Sequence, residues 1–115
     1  MPREIDEQCA VVEYCEYMHI PVYHIPNEGK RSYAAGAQLR RAGLKSGVPD
    51  LCIPVARGGR HGLYIELKVG RNKPTDAQNE WLRLLASEGY AVALCYGADA
   101  AIRAIKTYMG EPKND

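Results

Sequence analysis

Two apolar segments joined by a glycine-rich connection constrain the fold of this chain more than any other feature of its sequence. Residues 50–55 read DLCIPV, residues 57–62 read RGGRHG, and residues 63–69 read LYIELKV. Strand-length apolar runs on either side of such a connection predict a β-hairpin. Because side chains alternate between the two faces of a strand, we expect Glu66 and Lys68 to point to the same side.

Helical and strand patterns flank this hairpin. Apolar residues that recur at helical spacing predict helices over residues 4–18, 32–42, 75–88 and 99–109. Two further apolar runs of strand length lie at residues 22–25 and 90–96. The predicted order is αβαββαβα, which indicates an α/β fold with one mixed sheet and helices packed on it.

Local signals predict where several elements begin and end. Thr75, followed three residues later by Gln78, matches a capping box at the start of the third helix, which should end at Gly89. Asp99 is expected to cap the last helix through its side chain. The run at residues 90–96 is nearly all apolar, which is typical of a strand covered on both faces.

The composition indicates one ordinary domain. A length of 115 residues with 46% hydrophobic residues is enough for one core, so we expect a single domain over residues 1–115. The four cysteines form no C-x-x-C pair and are expected to be small buried residues of a reduced, cytoplasmic protein. The acidic N-terminus is unlike a signal peptide, and no apolar run reaches membrane-spanning length. A formal net charge of +1 gives no overall electrostatic argument for nucleic acid.

Asp50 lies at the open end of the hairpin, where closure brings it near Lys68 or Val69. Opposite Lys68, its carboxylate shares a face with Glu66, whereas opposite Val69 a bulge or bend is needed. Two carboxylates about 4 Å apart repel by roughly 4 kcal/mol at an effective dielectric constant near 20, and a cation relieves this repulsion. Hard oxygen ligands favour Mg²⁺ or Mn²⁺, and a lysine beside them can hold a nucleophile or offset charge on a phosphate.

The same three residues have an ordinary structural explanation. Glu66 and Lys68 can be the solvated face of a half-exposed strand, and Asp50 can be a turn residue that follows Pro49. Short charged patterns of this kind are common, so the three residues alone do not establish a function.

The sequence around them is more specific. The segments SGVPDLCIPV and GLYIELK are followed, after a polar stretch, by a helix with an early glutamine and a tryptophan. This arrangement resembles the VRR-NUC branch of the PD-(D/E)XK nucleases. The resemblance runs from Glu4 to about Met109 and implies a restriction-endonuclease-like core.

The resemblance also implies roles for individual residues. Asp50 corresponds to the acidic residue of the motif, Glu66 to the second metal ligand, and Lys68 to the motif lysine. The backbone carbonyl of Leu67 would be a further metal contact, and Glu4 would be an additional acidic residue at the metal.

Two implied site residues have competing explanations. Other acidic residues share the first helix with Glu4, namely Asp6, Glu7 and Glu13, and acidic residues near a helix N-terminus are favourable in any helix. Gln78 resembles the glutamine that follows the motif in resolvase-like relatives and would be catalytic there, but it also completes the predicted capping box.

Two groups of basic residues are candidates for contact with DNA. The segment HIPNEGKRS at residues 24–32 resembles the family's sequence ahead of the second helix, and a second group lies in the loop after the hairpin. Both could follow a phosphate backbone, although basic side chains are more often a solvated surface. The candidates are Lys30, Arg31, Arg40, Arg41, Lys45, Arg71 and Lys73.

By resemblance, the chain is expected to be a Mg²⁺- or Mn²⁺-dependent DNA endonuclease of the stand-alone type that phages and prophages encode. Such members resemble Holliday-junction resolvases, so branched DNA is the expected substrate and a two-fold homodimer the expected assembly. The alternatives are a catalytically silent DNA-binding module, a nuclease that is directed to RNA or has no branch preference, and a protein-interaction domain.

Overall fold

The computed structural model describes residues 3–26 and 32–110 of the chain. Its helices are α1 (Glu4–Tyr17), α2 (Tyr33–Arg41), α3 (Asp76–Ser87) and α4 (Ala98–Met109). Its strands are β1 (Tyr23–His24), β2 (Leu51–Ile53), β3 (Leu63–Lys68) and β4 (Ala91–Tyr96). The predicted order of elements is confirmed. Within these two ranges, no helix has the length and apolar character needed to cross a membrane.

The four strands form one mixed sheet in the order β1-β2-β3-β4. β2 pairs antiparallel with both β1 and β3, so β2 and β3 are the predicted hairpin. β3 and β4 are parallel, and α3 makes the crossover that a parallel pair requires. The α/β class and the mixed sheet are therefore confirmed.

The core lies on one face of the sheet, where α1 packs on β3 and α4 packs on β3 and β4. Removing apolar side chains from water contributes about 25 cal/mol for each Å² buried, so this face is the main source of stability. Its buried members are Leu51, Ile53, Leu63, Ile65 and Leu67 of the hairpin, Cys95 of β4, Val11 and Cys15 of α1, Ile20 after α1, and Ala98, Ala101 and Ile105 of α4.

The cysteines are free, and three of them are buried as predicted. Cys9 is exposed, so the prediction was wrong for this residue. Its position on α1 explains the difference, because Val11 and Cys15 lie four residues apart on the inward side of the helix and Cys9 lies on another side.

The register of the hairpin differs from both predicted alternatives. Leu51 lies opposite Ile65, so the next position of the ladder places Asp50 beside Glu66. The predicted partners were Lys68 and Val69. Two carboxylates are thus brought together more directly than the sequence indicated.

A bend at the end of β2 contributes to this shift. The backbone amide of Val55 donates to the carbonyl of Ile53 at 2.9 Å, and this hydrogen bond turns the chain at Pro54. The last pair of the ladder is Ile53 with Leu63, and the tight turn beyond it is closed by Arg57 and Arg60. Between these two pairs the β2 side has three residues and the β3 side has two. An additional residue on one strand changes which residues face each other.

The starts of α3 and α4 are fixed in different ways. The predicted capping box is confirmed, since Thr75 Oγ1 accepts from the Gln78 amide at 3.1 Å and Gln78 Oε1 accepts from the Thr75 amide at 2.9 Å. The predicted cap of α4 is wrong, because Asp99 lies inside the first turn. The amide of Ala98 instead donates to Glu7 Oε1 of α1 at 3.1 Å.

β4 lies at the edge of the sheet, and α3 covers its second face only in part. Cys95 is buried toward the core, whereas Leu94 is 39% exposed and Tyr96 is 45% exposed. The prediction that both faces are covered was wrong, because α3 contacts β3 and β4 without burying any of its own residues fully.

Candidate active site

Glu66 and Lys68 lie on the face of β3 that points away from the apolar core. Their shared face is confirmed, since the alternating neighbours Ile65 and Leu67 belong to the core. Both charged side chains are nevertheless buried, with Glu66 1% exposed and Lys68 8% exposed. The Lys68 Nζ atom lies 3.7 Å from Glu66 Oε2. The explanation of these residues as a solvated strand face is therefore wrong.

The second carboxylate oxygen of Glu66 is unsatisfied. Glu66 Oε1 is buried and has no hydrogen-bond partner among the described residues. A buried polar atom in this condition is unfavourable by about 1–3 kcal/mol, and by more when the group is charged. Such an atom is suited to hold a proton or to bind a cation.

Asp50 is held firmly at the start of β2. Its Oδ2 atom accepts a hydrogen bond from the Leu67 amide at 2.7 Å. Its backbone carbonyl accepts from the Ile25 amide at 2.8 Å and lies 2.8 Å from His24 Nδ1. Asp50 is thus tied to two neighbouring strands and is not a free turn residue.

The charges in this group act strongly on one another. Burial, and after it the negative charge of Asp50, raise the pKa of Glu66 to about 8. The positive charge of Lys68 offsets part of this effect, and the charge of Glu4 adds to it. In the absence of a cation, Glu66 therefore takes up a proton more readily than an ordinary glutamate.

Glu4 is the carboxylate of α1 whose charge reaches this group. Burial first, and then Asp50, raise the pKa of Glu4, while Lys68 lowers it in part. Glu7 is bound to the start of α4 instead. Glu13 lies nine residues further along the helix, about 13 Å from Glu4 at 1.5 Å per residue.

The donor atoms suit a hard divalent cation. Asp50 and Glu66 supply carboxylate oxygens of the kind that Mg²⁺ and Mn²⁺ prefer. The amide and carbonyl of one strand residue point to the same side, so the Leu67 carbonyl faces the side on which its amide meets Asp50.

Glu4 does not complete a group of three metal-ligating carboxylates with Asp50 and Glu66. Residues 3–26 and 32–110 contain no cluster of three His, Cys, Asp or Glu side chains spaced to hold a metal ion. A metal ion here would take the two carboxylates of Asp50 and Glu66, the Leu67 carbonyl and water, and Glu4 adds negative charge to the same group. Mg²⁺ commonly keeps several waters in protein sites.

Gln78 lies at the start of α3 and is half-buried. Its side-chain oxygen accepts from the backbone amide of Thr75, and its own backbone amide donates to the Thr75 side chain. Both groups are thus used in the capping box. In the described part of the chain, its hydrogen bonds do not reach Asp50, Glu66 or Lys68. The structure therefore shows Gln78 at the helix cap, with its side-chain oxygen used there.

The basic candidates fall into a near and a distant group. Arg71 and Lys73 are exposed in the loop that directly follows β3. The other described candidates lie on or just after α2, a helix of which only Gly36 is buried. These exposed residues are Arg40, Arg41 and Lys45. Lys30 and Arg31 lie outside the described residues.

Three contacts in the structure were not predicted from the sequence. His24 contacts the carbonyl of Asp50, Glu7 fastens α1 to α4, and the Tyr96 hydroxyl donates to the carbonyl of Asn72 at 2.7 Å. Each contact joins segments that are far apart along the chain. Periodicity and motif spacing carry no information about such contacts.

Comparisons with known proteins agree with the geometry. A family model described as VRR-NUC domain matches residues 6–99, a range that contains Asp50, Glu66, Lys68 and Gln78 but not Glu4. A solved structure described as a VRR_NUC domain protein superimposes with a TM-score of 0.84 and is 32% identical. The match covers 100% of this chain and 94% of that one. The search of curated proteins found no match.

Proposed function

Because the chain belongs to the VRR-NUC domain family of nucleases, we propose that it is a Mg²⁺- or Mn²⁺-dependent endonuclease that hydrolyses phosphodiester bonds of DNA. The observation that carries this proposal is the buried Glu66 carboxylate beside Asp50, with one oxygen unsatisfied and its pKa raised to about 8. A structural carboxylate in this position would be unfavourable, whereas a cation-binding one gains from the same arrangement.

The residues of the site divide the chemistry among them. Asp50, Glu66 and the Leu67 carbonyl would hold the cation, and Glu4 would add negative charge beside it. When bound, a divalent ion lowers the pKa of a water molecule and offsets negative charge on a phosphate oxygen. Lys68, whose Nζ is 3.7 Å from Glu66 Oε2, is in place to orient the attacking water or to donate to the phosphate.

Other residues support this arrangement. The capping box of Gln78 fixes the start of α3 behind the loop that carries Arg71 and Lys73. These two cations and the basic residues of α2 would contact the phosphate backbone of DNA. Two catalytic sites in a two-fold homodimer would suit a four-way junction, which offers two equivalent strands. A phage or prophage protein acting in the bacterial cytoplasm fits such a substrate.

Cleavage assays on matched substrates test the proposal. Labelled four-way junction, flap, linear duplex and single-stranded RNA would be incubated with the protein in Mg²⁺, Mn²⁺ or EDTA. Asp50→Asn and Lys68→Met should each reduce cleavage by at least about a hundredfold, because a positioned charge in such a site is worth that much. Lys106→Met, which removes an exposed lysine on α4, is the matched control and should cut like the wild type.

The possible outcomes separate the alternatives. Cleavage in EDTA, or equal cleavage by the Asp50 and Lys68 variants, would contradict the proposed site. Metal-independent DNA binding without cutting would identify a silent module. Equal cutting of all substrates would retain the nuclease and remove the preference for branched DNA.

A further inference from the structure

Tyr96 is the last residue of β4 and the register partner of Lys68 in the parallel ladder. Laterally paired residues of a sheet point to the same face, so the Tyr96 side chain lies on the face that carries Glu66 and Lys68. The ends of the two strands are also tied together, because the Gly97 amide donates to the carbonyl of Lys68 at 2.9 Å. Tyr96 is thus fixed beside the candidate active site.

The side chain of Tyr96 does little for the core. It is 45% exposed on an edge strand, so much of its ring remains in water. Its hydroxyl nevertheless makes a short hydrogen bond, donating to the backbone carbonyl of Asn72 at 2.7 Å. The most specific contact of this tyrosine is therefore with the loop that follows β3.

That loop carries two exposed cations close to Lys68. Arg71 and Lys73 lie on either side of Asn72, and the segment 69–75 contains no acidic residue. A turn in which the Asn72 amide donates to the carbonyl of Val69 at 3.3 Å folds the loop back on the end of β3. The Tyr96 hydroxyl binds the centre of this loop, between its two charges.

We propose that Tyr96 is a substrate-positioning residue whose hydroxyl, by holding Asn72, keeps Arg71 and Lys73 in place to bind the DNA phosphates next to the cleaved bond. The inference rests on the proposed nuclease function and adds a residue to the substrate-binding surface. A phenylalanine would fill the same space and leave the loop without this attachment. The loop cations would then lose orientation without losing charge.

DNA binding measured without metal tests this role apart from catalysis. Fluorescence anisotropy with labelled four-way junction in EDTA, over a series of salt concentrations, would compare the full-length wild type with Tyr96→Phe, Arg71→Ala/Lys73→Ala and the triple variant. Tyr96→Phe should weaken binding by about threefold to tenfold, the value of one net hydrogen bond. It should also make the salt dependence less steep, because fewer phosphates are neutralised.

The combined variants distinguish a positioning role from a structural one. Tyr96→Phe should have no further effect once Arg71 and Lys73 are alanine, because the loop then has no cations to hold. Tyr17→Phe, which changes an exposed tyrosine on α1, is the matched control and should bind like the wild type. Mn²⁺ affinity, measured by calorimetry, should be the same for Tyr96→Phe and the wild type.

Each failure points to a different conclusion. Wild-type affinity in Tyr96→Phe, or an equal loss with and without the loop cations, would overturn the inference and leave the nuclease proposal standing. Weaker Mn²⁺ binding by Tyr96→Phe would overturn it too, because the hydroxyl would then act through the metal site. A wild-type chain that binds no DNA at any salt concentration would overturn the proposed function and the inference together.

Discussion

The inner strand β3 is buried on both faces of the sheet, but the two faces bury opposite kinds of side chain. Toward α1 and α4, the hairpin presents Leu51, Ile65 and Leu67, each with no exposed surface. On the other face, β3 buries Glu66 and Lys68 almost as completely. Burial of apolar groups stabilises a fold, whereas burial of charges opposes it unless they are paired. The first face therefore supports the fold, and the second is maintained at the expense of stability.

This difference separates what the protein needs to fold from what it needs for chemistry. Substitutions on the apolar face should change stability first, and activity only through the fraction of folded protein. Substitutions on the charged face should change activity first, and several of them should leave stability unchanged or improve it.

The largest loss is expected on the apolar face. Ile65→Ala should lower the free energy of unfolding by about 2–5 kcal/mol, because it removes methylene groups from a packed site and leaves a cavity. Urea unfolding followed by circular dichroism would measure the loss. Leu94→Ala on β4 is the control, since this side chain is already 39% exposed and its loss should be much smaller. Equal effects would remove the distinction between the two faces.

The charged face should make stability depend on pH. The pKa of Glu66 is raised in the folded protein, to about 8, so the folded state binds more protons than the unfolded state between about pH 4.5 and pH 8. Stability of the metal-free protein should therefore fall as pH rises through this range, by a few kcal/mol in total, on the order of one kcal/mol for each unit. Unfolding midpoints measured at several pH values in EDTA would show the slope.

Two changes should flatten this slope. Glu66→Gln has no charge to bury, so its stability should vary less with pH and should exceed that of the wild type at pH 8. Saturating Mn²⁺ should stabilise the wild type most at high pH, where the carboxylate is free to bind it. A wild-type profile that rises with pH between 4.5 and 8 would contradict the burial of Glu66 as the dominant effect.

A smaller effect is expected where α1 meets α4. Glu7→Ala removes the acceptor of the Ala98 amide and should lower the free energy of unfolding by about 1 kcal/mol, as for the loss of a helix cap. Glu7→Gln keeps an acceptor oxygen and should recover most of the loss. Glu13→Ala, an exposed change on the same helix, should have little effect. If Glu13→Ala were as harmful as Glu7→Ala, overall helix charge would explain the result.

The smallest effect is expected from the exposed ion pair of α1. Arg3 Nε lies 2.9 Å from Asp6 Oδ2, but the two side chains are 75% and 57% exposed. Water and salt screen such a pair, so Asp6→Asn should leave the unfolding midpoint unchanged within error. Thermal melts in low and high salt would test this. A clearly lower unfolding midpoint in Asp6→Asn would show that exposed ion pairs also stabilise this protein.

Local patterns were sufficient to predict most of the fold. The hairpin, the capping box at Thr75 and the alternation that puts Glu66 and Lys68 on one face all depend on residues close in sequence. The errors arose where distant parts meet. The cap of α4 comes from Glu7, which is 91 residues from Ala98 along the chain.

In the candidate site, too, the sequence predicted the local features and missed those that depend on distant contacts. The strand carrying Glu66 and Lys68 could be predicted, but their deep burial and the register that sets Asp50 beside Glu66 depend on tertiary packing and on the bend at Pro54. Choosing Glu4 among the acidic residues of α1 required the position of that helix. Spacing alone could not supply it.

The hydrogen bond from the Leu67 amide to Asp50 Oδ2 determines how an inert form of this protein should be made. A side-chain oxygen here stands where a strand carbonyl would normally complete a rung of the sheet. Alanine at position 50 would remove that hydrogen bond together with the charge, so the inactive variant would also be less stable. Asparagine keeps an oxygen for Leu67 and offers the cation only a neutral amide. It is therefore the preferred substitution for trapping an uncut DNA complex for crystallography.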